Sequence, residues 1–393
     1  MNILLVTFRY MVGDRKDLKD GVLALHHFTT EWIKAGHNVT VLHLYLHFNQ
    51  GTMWERLTKK PRWFTSRYYY HELDGAKIHL VETRLIKQLP ITHNRVFMGH
   101  LARKYSKKIK DKPDIILTHF PTILDGFADK LPFDCPKAGI LHWTDPHQIR
   151  RWGMGMFRRM VKGYDALGFR SRAIQRDLHS MADPGLPEFM VYSGAPTFGP
   201  PPKERDEQGP LKVIYVGSLI ERKGSDLLLR ACHALPESVP WTLKVVGKGL
   251  LMEKLEGYIK ENGLQDKVTL TGPVTREEVL EHMADADMFV MLSSGETFGL
   301  VYLEAMSQKL ITVGSKNEGI DGVIVDGENG FLLDSSDEKG LTALMERVYR
   351  MSPEERKRLR EAAYKTASVM TEENMAKQYL EDAWAAAHGE SRA

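Results

Sequence analysis

The stretch Gly295-Glu296-Thr297-Phe298-Gly299-Leu300-Val301-Tyr302-Leu303-Glu304 is the most informative part of this chain. It places two carboxylates eight positions apart, with Gly299 before an apolar run that predicts a buried helix. Glu304 lies inside that run, where an unpaired carboxylate is costly to bury. Eight residues at about 100° each leave the two carboxylates about 80° apart around a helix axis. Both can therefore reach one ligand, whose hydroxyl groups would give Glu304 a polar partner.

The bulk properties indicate a two-domain globular protein. The chain has 393 residues, of which 42% are hydrophobic and 27% are charged; this length is too great for one ordinary core. It contains no apolar run of about 18 residues, so no transmembrane helix is expected. The apolar run at residues 3–8 is too short for a signal peptide and predicts a strand. Cys135 and Cys232 have no metal-site spacing and are expected to be reduced thiols in the cytoplasm.

The small net charge hides an asymmetry between the two halves. Residues 1–200 hold 30 Lys and Arg against 18 Asp and Glu, a net charge of +12, whereas residues 201–393 hold 24 against 33, a net charge of −9. The first half also holds 13 of the 16 histidines. The two halves are therefore expected to face different partners.

Strand and helix patterns alternate along both halves. In the first half, strands are predicted at 3–7, 39–44, 115–118, 138–141 and 166–169, with a helix at 21–34. A Pro- and Gly-rich segment at 196–210 predicts a linker. Beyond it, strands at 213–216, 243–246, 268–271, 288–292 and 311–314 alternate with helices at 225–234, 251–262, 276–284 and 300–308. Residues 353–388 predict two helices with a break near Thr371. The fold class is α/β, with two doubly wound, Rossmann-like domains at 1–197 and 198–371.

In open parallel sheets ligands bind beyond the carboxyl ends of the strands, and the polar motifs lie there. The loop from Gly217 to Ser225 carries Arg222 and Lys223 at the start of a helix, which suits either an anion or a solvated basic turn. Gly247-Lys248-Gly249 permits close approach of a ligand or a tight turn. Because Met252 occupies its third glycine position, it is not a dinucleotide fingerprint.

Four further candidate sites follow a strand or begin a helix. The N–H groups of Phe298 to Val301 could bind phosphate or sugar oxygens, although Glu296 could simply cap that helix. In the first half, Gly21 opens a helix, and His119 and His142 each follow a strand. For Gly21 a plain turn, and for each histidine a hydrogen-bonded loop residue, stays open.

These motifs in this order resemble the retaining glycosyltransferases of the GT-B fold, family four, over nearly the whole chain. The resemblance is carried by Gly217, Lys223-Gly224, Gly247-x-Gly249, Gly272, Glu296-x7-Glu304 and Gly327-x-x-Gly330-Phe331-Leu332. It implies two domains facing across a cleft, with residues 372–393 returning to the N-terminal, acceptor-binding domain. The C-terminal domain would bind the nucleotide-sugar.

The resemblance also implies roles for single residues. Lys223 would bind the donor diphosphate and Glu304 the ribose, while Glu296 and the amides of Phe298, Gly299, Leu300 and Val301 would hold the sugar. The loop near Val274 would pack the base, and His142 would touch the sugar from the N-terminal domain. Glu296, His142 and Lys223 are thus the expected catalytic residues. The remaining expected donor-binding residues are Gly21, Ser218, Arg222 and Gly249.

The sequence departs from the family pattern at two points. Ser218 stands where most members carry Arg, which weakens a two-cation grip on the diphosphate unless Arg222 compensates. Asp20-Gly21 stands where many members have two glycines.

No metal or other cofactor is expected, and Asp285 and Asp287, although they look like a metal pair, are expected to be structural. The segment 317–322 resembles a variant found among cell-surface polysaccharide enzymes.

The resemblance implies transfer of a sugar, with retention, from a nucleotide-diphosphate sugar to an acceptor in cell-surface polysaccharide or lipid-linked glycan assembly. UDP-sugars lead as donors; a GDP-mannose donor or a small soluble acceptor is the alternative. Basic stretches with apolar or aromatic residues at 56–67, 103–112 and 150–162 suit an anionic membrane surface, or are solvated helix faces. The protein is accordingly expected in the cytoplasm, peripheral on the inner face of the cell membrane.

Other function classes fit less well. A nucleotide-dependent dehydrogenase would need the complete glycine fingerprint, and a non-catalytic sugar-binding protein would have no use for Lys223 with the paired glutamates. The basic first half could attract nucleic acid, but no recognition module is visible, so no nucleic-acid partner is expected.

Overall fold

The computed structural model of the protein describes residues 1–11, 21–48, 66–85, 91–195 and 209–390. The chain divides into two compact units. Unit 1 comprises Met1–Arg170, Ile174–Tyr192 and Met375–Ala393, and unit 2 comprises Ser171–Ala173 and Ser193–Asn374. These divisions lie near the predicted domain bounds, while most of the predicted linker at 196–210 lies outside the described residues.

Unit 1 is built on an eight-stranded sheet with the order β3-β4-β2-β1-β5-β6-β7-β8. All neighbouring strands are parallel except the hairpin β3–β4. The central strands are buried on both faces, which is why they read as continuous apolar runs. The strands are β1 (Asn2–Thr7), β2 (Asn38–Phe48), β3 (Arg67–Leu73), β4 (Ala76–Leu85), β5 (Ile115–His119), β6 (Lys137–Leu141), β7 (Ala166–Phe169) and β8 (Glu188–Met190).

Among the described residues, six α-helices belong wholly or mostly to unit 1. They are α1 (Leu23–Lys34), α2 (Ile91–Ser106), α3 (Thr144–Trp152), α4 (Met154–Val161), α5 (Arg172–His179) and the C-terminal α12 (Glu372–Ala387). The last of these confirms the expected return of the chain end, because the indole N–H of Trp32 in α1 donates to the Ala376 carbonyl at 2.8 Å.

Unit 2 is a six-stranded parallel sheet with the order β11-β10-β9-β12-β13-β14. Its strands are β9 (Leu211–Val216), β10 (Trp241–Val246), β11 (Val268–Gly272), β12 (Met288–Val290), β13 (Ile311–Ser315) and β14 (Phe331–Leu333). Its helices are α6 (Ser225–His233), α7 (Met252–Glu261), α8 (Arg276–Ala284), α9 (Leu300–Ser307), α10 (Glu338–Arg350) and α11 (Pro353–Val369).

The strand order of each sheet locates its functional loops. In unit 2 the chain proceeds from β9 to β11 on one side and then continues from β12 to β14 on the other. The loops after β9 and β12 therefore flank the switch point, where open α/β sheets bind ligands. In unit 1 the switch point lies between β1 and β5, so His119 at the end of β5 lies beside it.

Two expectations about single residues are confirmed. Cys135 and Cys232 are free thiols. Asp287 is structural, since its carboxylate accepts from the Lys212 backbone N–H at 3.0 Å and lies 3.6 Å from the Arg360 guanidinium. Asp285 lies 3.4 Å from the Lys212 ammonium. No helix of the described residues is long and apolar enough to cross a membrane.

Candidate active site

Lys223 and Glu296 form an ion pair in unit 2, where the loops after β9 and β12 meet. The ammonium and carboxylate are in direct contact, and both side chains are largely buried. Lys223 ends a 3-10 turn at Glu221–Lys223, and Gly224 follows it in the left-handed region at φ 70°. A Cβ on Gly224 would lie 2.4 Å from the Leu292 carbonyl oxygen, so glycine is what lets this turn approach the loop after β12.

The loop that carries Glu296 is held on one side by Arg222. The Arg222 guanidinium donates to the carbonyls of Ser294 at 3.3 Å and Gly295 at 3.2 Å. The Arg222 carbonyl in turn accepts from the Ser294 N–H at 2.7 Å. Arg222 thus braces the loop in this structure, while its expected contact with a diphosphate stays a prediction.

Glu318 holds the same loop on its other side. Its carboxylate accepts from the N–H groups of Gly295 at 2.9 Å and Glu296 at 2.8 Å. Burial raises the pKa of Glu318, although these two hydrogen bonds act against the rise. Next to it, Gly319 lies so close to Phe298 that a Cβ would come within 2.4 Å of the Phe298 nitrogen. The segment after β13 therefore helps to fix the conformation of the Glu296 loop.

Helix α9 begins beside this loop. Gly299 adopts φ 85° and α9 starts without a side-chain cap, so Glu296 does not cap it. Its first N–H groups, those of Leu300 and Val301, therefore lie at a positive helix terminus beside Lys223 and Glu296. This arrangement suits an anion next to a polyhydroxylated group.

Glu304 lies further along α9 and is paired with Arg276 of α8. The guanidinium donates to its carboxylate at 2.7 Å, and burial raises the pKa of Glu304 while Arg276 acts against the rise. The sequence predicted that this carboxylate would need a polar partner; in this structure the partner is an arginine. Its expected contact with ribose stays a prediction. Val274 lies two residues before Arg276, half-buried in the loop after β11.

The loops after β9, β10 and β11 lie side by side through backbone hydrogen bonds. Leu219 donates to the Lys248 carbonyl and accepts from Leu251, both at 3.0 Å. Gly249 is required here, since a Cβ would lie 2.3 Å from the Leu219 carbonyl oxygen. Ser218 is exposed, and its carbonyl accepts from the Tyr215 hydroxyl at 2.9 Å.

Unit 1 contains the two remaining predicted residues, His142 and Gly21. His142 follows β6 and is buried, with its ring stacked on Phe120 at 3.6 Å between centroids. Its backbone N–H donates to the Asp145 carboxylate at 2.7 Å. Gly21 precedes α1 and approaches Tyr10 closely, because a Cβ would lie 2.2 Å from the Tyr10 carbonyl. Asp20 lies outside the described residues.

The Tyr379 hydroxyl lies 3.0 Å from Nε2 of His119, which in turn contacts His142. Sequence reasoning missed Glu318, Asp145, Arg276 and Tyr379 as members of these sites. Glu318 and Asp145 each follow a buried strand by only a few positions, which is the signal that could have found them. Arg276 and Tyr379 had no such signal in the sequence, because their contacts depend on how the helices pack in the folded protein.

Comparison with known proteins shows which family this chain resembles. Residues 201–366 match the family described as glycosyl transferases group 1. Glycogen synthase of Mycobacterium tuberculosis (strain ATCC 25618 / H37Rv) is 24% identical over 342 residues, which cover 82% of this chain and 81% of that protein. Residues 201–366 belong to the group 1 glycosyltransferases. This glycosyltransferase is therefore an enzyme of class EC 2.4.

Two further similarities concern the fold and the substrates. The GDP-mannose-dependent alpha-(1-6)-phosphatidylinositol monomannoside mannosyltransferase of Mycolicibacterium smegmatis is 31% identical over 225 residues, 52% of this chain and 59% of that protein. The crystal structure of Anabaena HepE in complex with UDP superposes with a TM-score of 0.66 at 16% identity, covering 97% of this glycosyltransferase and 99% of that chain. The fold is GT-B.

Proposed function

We propose that this glycosyltransferase moves a sugar from a UDP-sugar, with retention, to an acceptor in cell-surface polysaccharide or lipid-linked glycan assembly. The observation that carries the proposal is the Lys223–Glu296 pair beside the uncapped start of α9. A nucleotide-sugar offers each group a better partner than the present one. Its diphosphate suits Lys223 and the α9 amides, and its sugar hydroxyls suit the Glu296 carboxylate.

The reaction requires stabilisation of negative charge on the departing diphosphate. Lys223 and the N–H groups of Leu300 and Val301 would supply it, each worth about 2.7–4 kcal/mol of the barrier. Glu296 would orient the sugar rather than attack it. The acceptor then attacks from the face that the diphosphate leaves, and the departing phosphate takes the acceptor's proton. The anomeric configuration is kept without a covalent intermediate.

Two substitutions test this assignment. Lys223→Ala and Glu296→Ala should each lower kcat by about 100-fold or more while the fold is retained. Lys309→Ala is the matched control, because it breaks another Lys–Glu pair of unit 2, with Glu361 at 2.7 Å, away from the site. Sugar transfer is measured together with circular dichroism. Near-normal turnover in both site variants would overturn the proposal.

The nucleotide base can be identified by binding. Anabaena HepE was crystallised with UDP, which favours a UDP-sugar, whereas the mannosyltransferase relative is GDP-mannose-dependent. Thermal denaturation with UDP, GDP and ADP compares the three directly. A nucleotide at 100 times its Kd should stabilise the protein by about 2.7 kcal/mol. The largest stabilisation by GDP would replace the UDP assignment with a GDP-mannose donor.

An acceptor at an anionic membrane surface is supported by the charge of the first half and by the lipid acceptor in the mannosyltransferase's name. The structure corrects one part of this expectation. Met156 and Phe157, expected to offer apolar contact, are 3% and 1% exposed and pack into the core of unit 1. The exposed side chains of α3 and α4 include Arg150, Arg151, Trp152 and Arg158.

The other two basic stretches lie at 56–67 and 103–112. The charged groups at 103–112 are exposed, and most of residues 56–67 lie outside the described part of the chain. Co-sedimentation with phosphatidylglycerol vesicles at low salt tests the surface. The double variant Arg151→Glu, Arg158→Glu should bind less than Lys357→Glu, Arg358→Glu, which makes the same charge change on α11. No lipid-dependent binding by the unaltered protein would leave the soluble-acceptor alternative.

A further inference from the structure

A chain of hydrogen bonds runs through the interior of unit 1 to His142. The Tyr379 hydroxyl lies 3.0 Å from Nε2 of His119, and Nδ1 of His119 lies 2.9 Å from Nε2 of His142. Tyr379 belongs to α12, His119 ends β5 and His142 follows β6, so three distant segments of the chain contribute one group each. All three side chains are buried, at 1%, 0% and 3% exposure.

Each member of the chain is neutral. Burial lowers the pKa of His119 and of His142 well below the usual range, and the nearby Arg170 cation acts in the same direction. Burial also holds the pKa of Tyr379 well above its usual range, so its hydroxyl keeps its proton. A neutral imidazole has one N–H donor and one acceptor nitrogen. The donor-to-acceptor direction of this hydrogen-bond chain therefore decides which ring nitrogen of His142 carries the proton.

The hydroxyl sets that direction. His119 Nε2 is the one hydrogen-bond partner of the Tyr379 hydroxyl within the described part of the chain. Arg170, the charged group that interacts with Tyr379, has donors only. A buried O–H without an acceptor is unfavourable, so the hydroxyl donates to Nε2. His119 must then carry its proton on Nδ1 and donate it to Nε2 of His142.

We propose that Tyr379 is a positioning residue that acts through His119 to hold the His142 proton on Nδ1. Nδ1, the ring nitrogen of His142 that does not bond to His119, is thereby a hydrogen-bond donor for a ligand oxygen. That this donor takes part in sugar transfer rests on the proposed function; the tautomer itself does not.

The remaining contacts fix the orientation of the His142 ring, so that only the position of its proton is left to be determined. Phe120 stacks on His142 with planes 17° apart and holds a left-handed backbone at φ 59°, which is strained for a bulky residue. The Asp145 carboxylate accepts from the His142 N–H at 2.7 Å and from the Thr122 N–H at 3.1 Å. With ring and backbone held from both sides, the hydrogen-bond chain from Tyr379 determines the tautomer.

Long-range proton–nitrogen NMR of the full-length protein labelled with 15N-histidine tests this directly. His119→Gln and His142→Gln variants assign the two rings. The unaltered protein should show His119 and His142 both protonated on Nδ1. Protonation of His142 on Nε2 in the unaltered protein would overturn the proposal.

Tyr379→Phe removes only the hydroxyl and should change the nitrogen shifts of both rings. Tyr105→Phe is the matched control, because Tyr105 is equally buried in unit 1 and its hydroxyl bonds to Ser66 Oγ at 2.5 Å. It should leave both tautomers unchanged, and unchanged tautomers in Tyr379→Phe would also overturn the proposal. Where transfer is measurable, Tyr379→Phe should lower kcat about tenfold, the equivalent of one neutral hydrogen bond. Altered tautomers with unaltered transfer would show that His142 has no part in sugar transfer and would leave the hydrogen-bond chain intact.

Discussion

Glu318 and Arg222 together determine where the Glu296 carboxylate lies. Glu318 supplies a half-buried carboxylate to two N–H groups of the loop, and Arg222 supplies a cation to two of its carbonyls. Hydrogen bonds to charged groups are worth about 1.5–3 kcal/mol each, so the loop is preorganised before any ligand binds. Sequence reasoning found the loop and its glutamate. It did not find the contacts of Arg222 with this loop, because a side chain's direction on a turn cannot be deduced from its position.

Removing the Glu318 carboxylate should loosen the Glu296 loop. In Glu318→Ala the N–H groups of Gly295 and Glu296 lose their acceptors, and amide hydrogen exchange at these two positions should accelerate about tenfold or more. Glu328→Ala, an exposed glutamate of the same unit, is the control and should leave this exchange unchanged. Unchanged exchange in Glu318→Ala would show that Arg222 alone holds the loop.

Asp145 should give unit 1 a pH-dependent stability. Burial raises the pKa of Asp145 from 3.8 to about 6, against the hydrogen bonds from Thr122 and His142. Because the folded pKa is the higher one, the neutral carboxyl stabilises the folded state. That contribution is complete below about pH 4 and is lost as the pH rises through about 6.

The advantage of the unaltered protein over Asp145→Asn should therefore shrink with rising pH. Between pH 5 and pH 8 the difference in the free energy of unfolding should fall by about 1 kcal/mol. Urea denaturation of both proteins at a series of pH values measures it. A difference that does not vary with pH would show that the folded pKa of Asp145 is not raised.

At the scale of elements, periodicity predicted the parallel core and missed the hairpin β3–β4. Buried strands such as β1 and β9 are continuous apolar runs, so their positions follow from composition alone. The β3 strand is half-exposed and rich in tyrosine, which hides it in an apolar scan. The Asp-Gly pair at 74 and 75 could have predicted the turn between the two strands. In the structure Asp74 and Gly75 have φ of 48° and 82°, as a two-residue hairpin turn requires.

The α4 helix shows why an amphipathic pattern does not identify the surface against which its apolar face packs. Its apolar residues Met156, Phe157 and Met160 are buried, while Arg158 is exposed. The same alternation would serve a helix lying on a membrane. Only the tertiary structure shows that the protein's own core covers this face.

Two glycines of unit 2 should respond oppositely to alanine. Gly249→Ala places a Cβ 2.3 Å from the Leu219 carbonyl, so the loops after β9 and β10 must separate, at a cost of about 1–3 kcal/mol. Gly257→Ala adds a methyl group to α7 with no heavy atom within 4 Å and should stabilise by about 0.4–1 kcal/mol. Thermal denaturation measures both, and a stabilised Gly249→Ala would contradict the close approach.

At the scale of the whole molecule, the return of the chain end to unit 1 could not be deduced from residue patterns. The sequence predicted two terminal helices with a break near Thr371, and α11 and α12 confirm it. Their different partners came only from the family resemblance. The apolar stripe of α12, which includes Ala376, Leu380 and Ala383, would fit many surfaces, and its match with α1 depends on shape.

Unit 1 should not be stable without α12. Tyr379 packs against Phe28 at 5.1 Å, Trp32 at 5.2 Å and Phe189 at 6.2 Å between ring centroids, and Ala376 accepts the Trp32 indole hydrogen bond. Losing one large buried aromatic costs about 3–5 kcal/mol, and a whole domain is stable by only about 5–15 kcal/mol. A chain that ends at Glu372 should therefore lose the cooperative unfolding of unit 1 and bind a hydrophobic dye, whereas a chain that ends at Glu390 should unfold like the full protein. Calorimetry and dye fluorescence compare the two, and an intact unit 1 transition in the shorter chain would show that α12 only lies on a unit that is already stable.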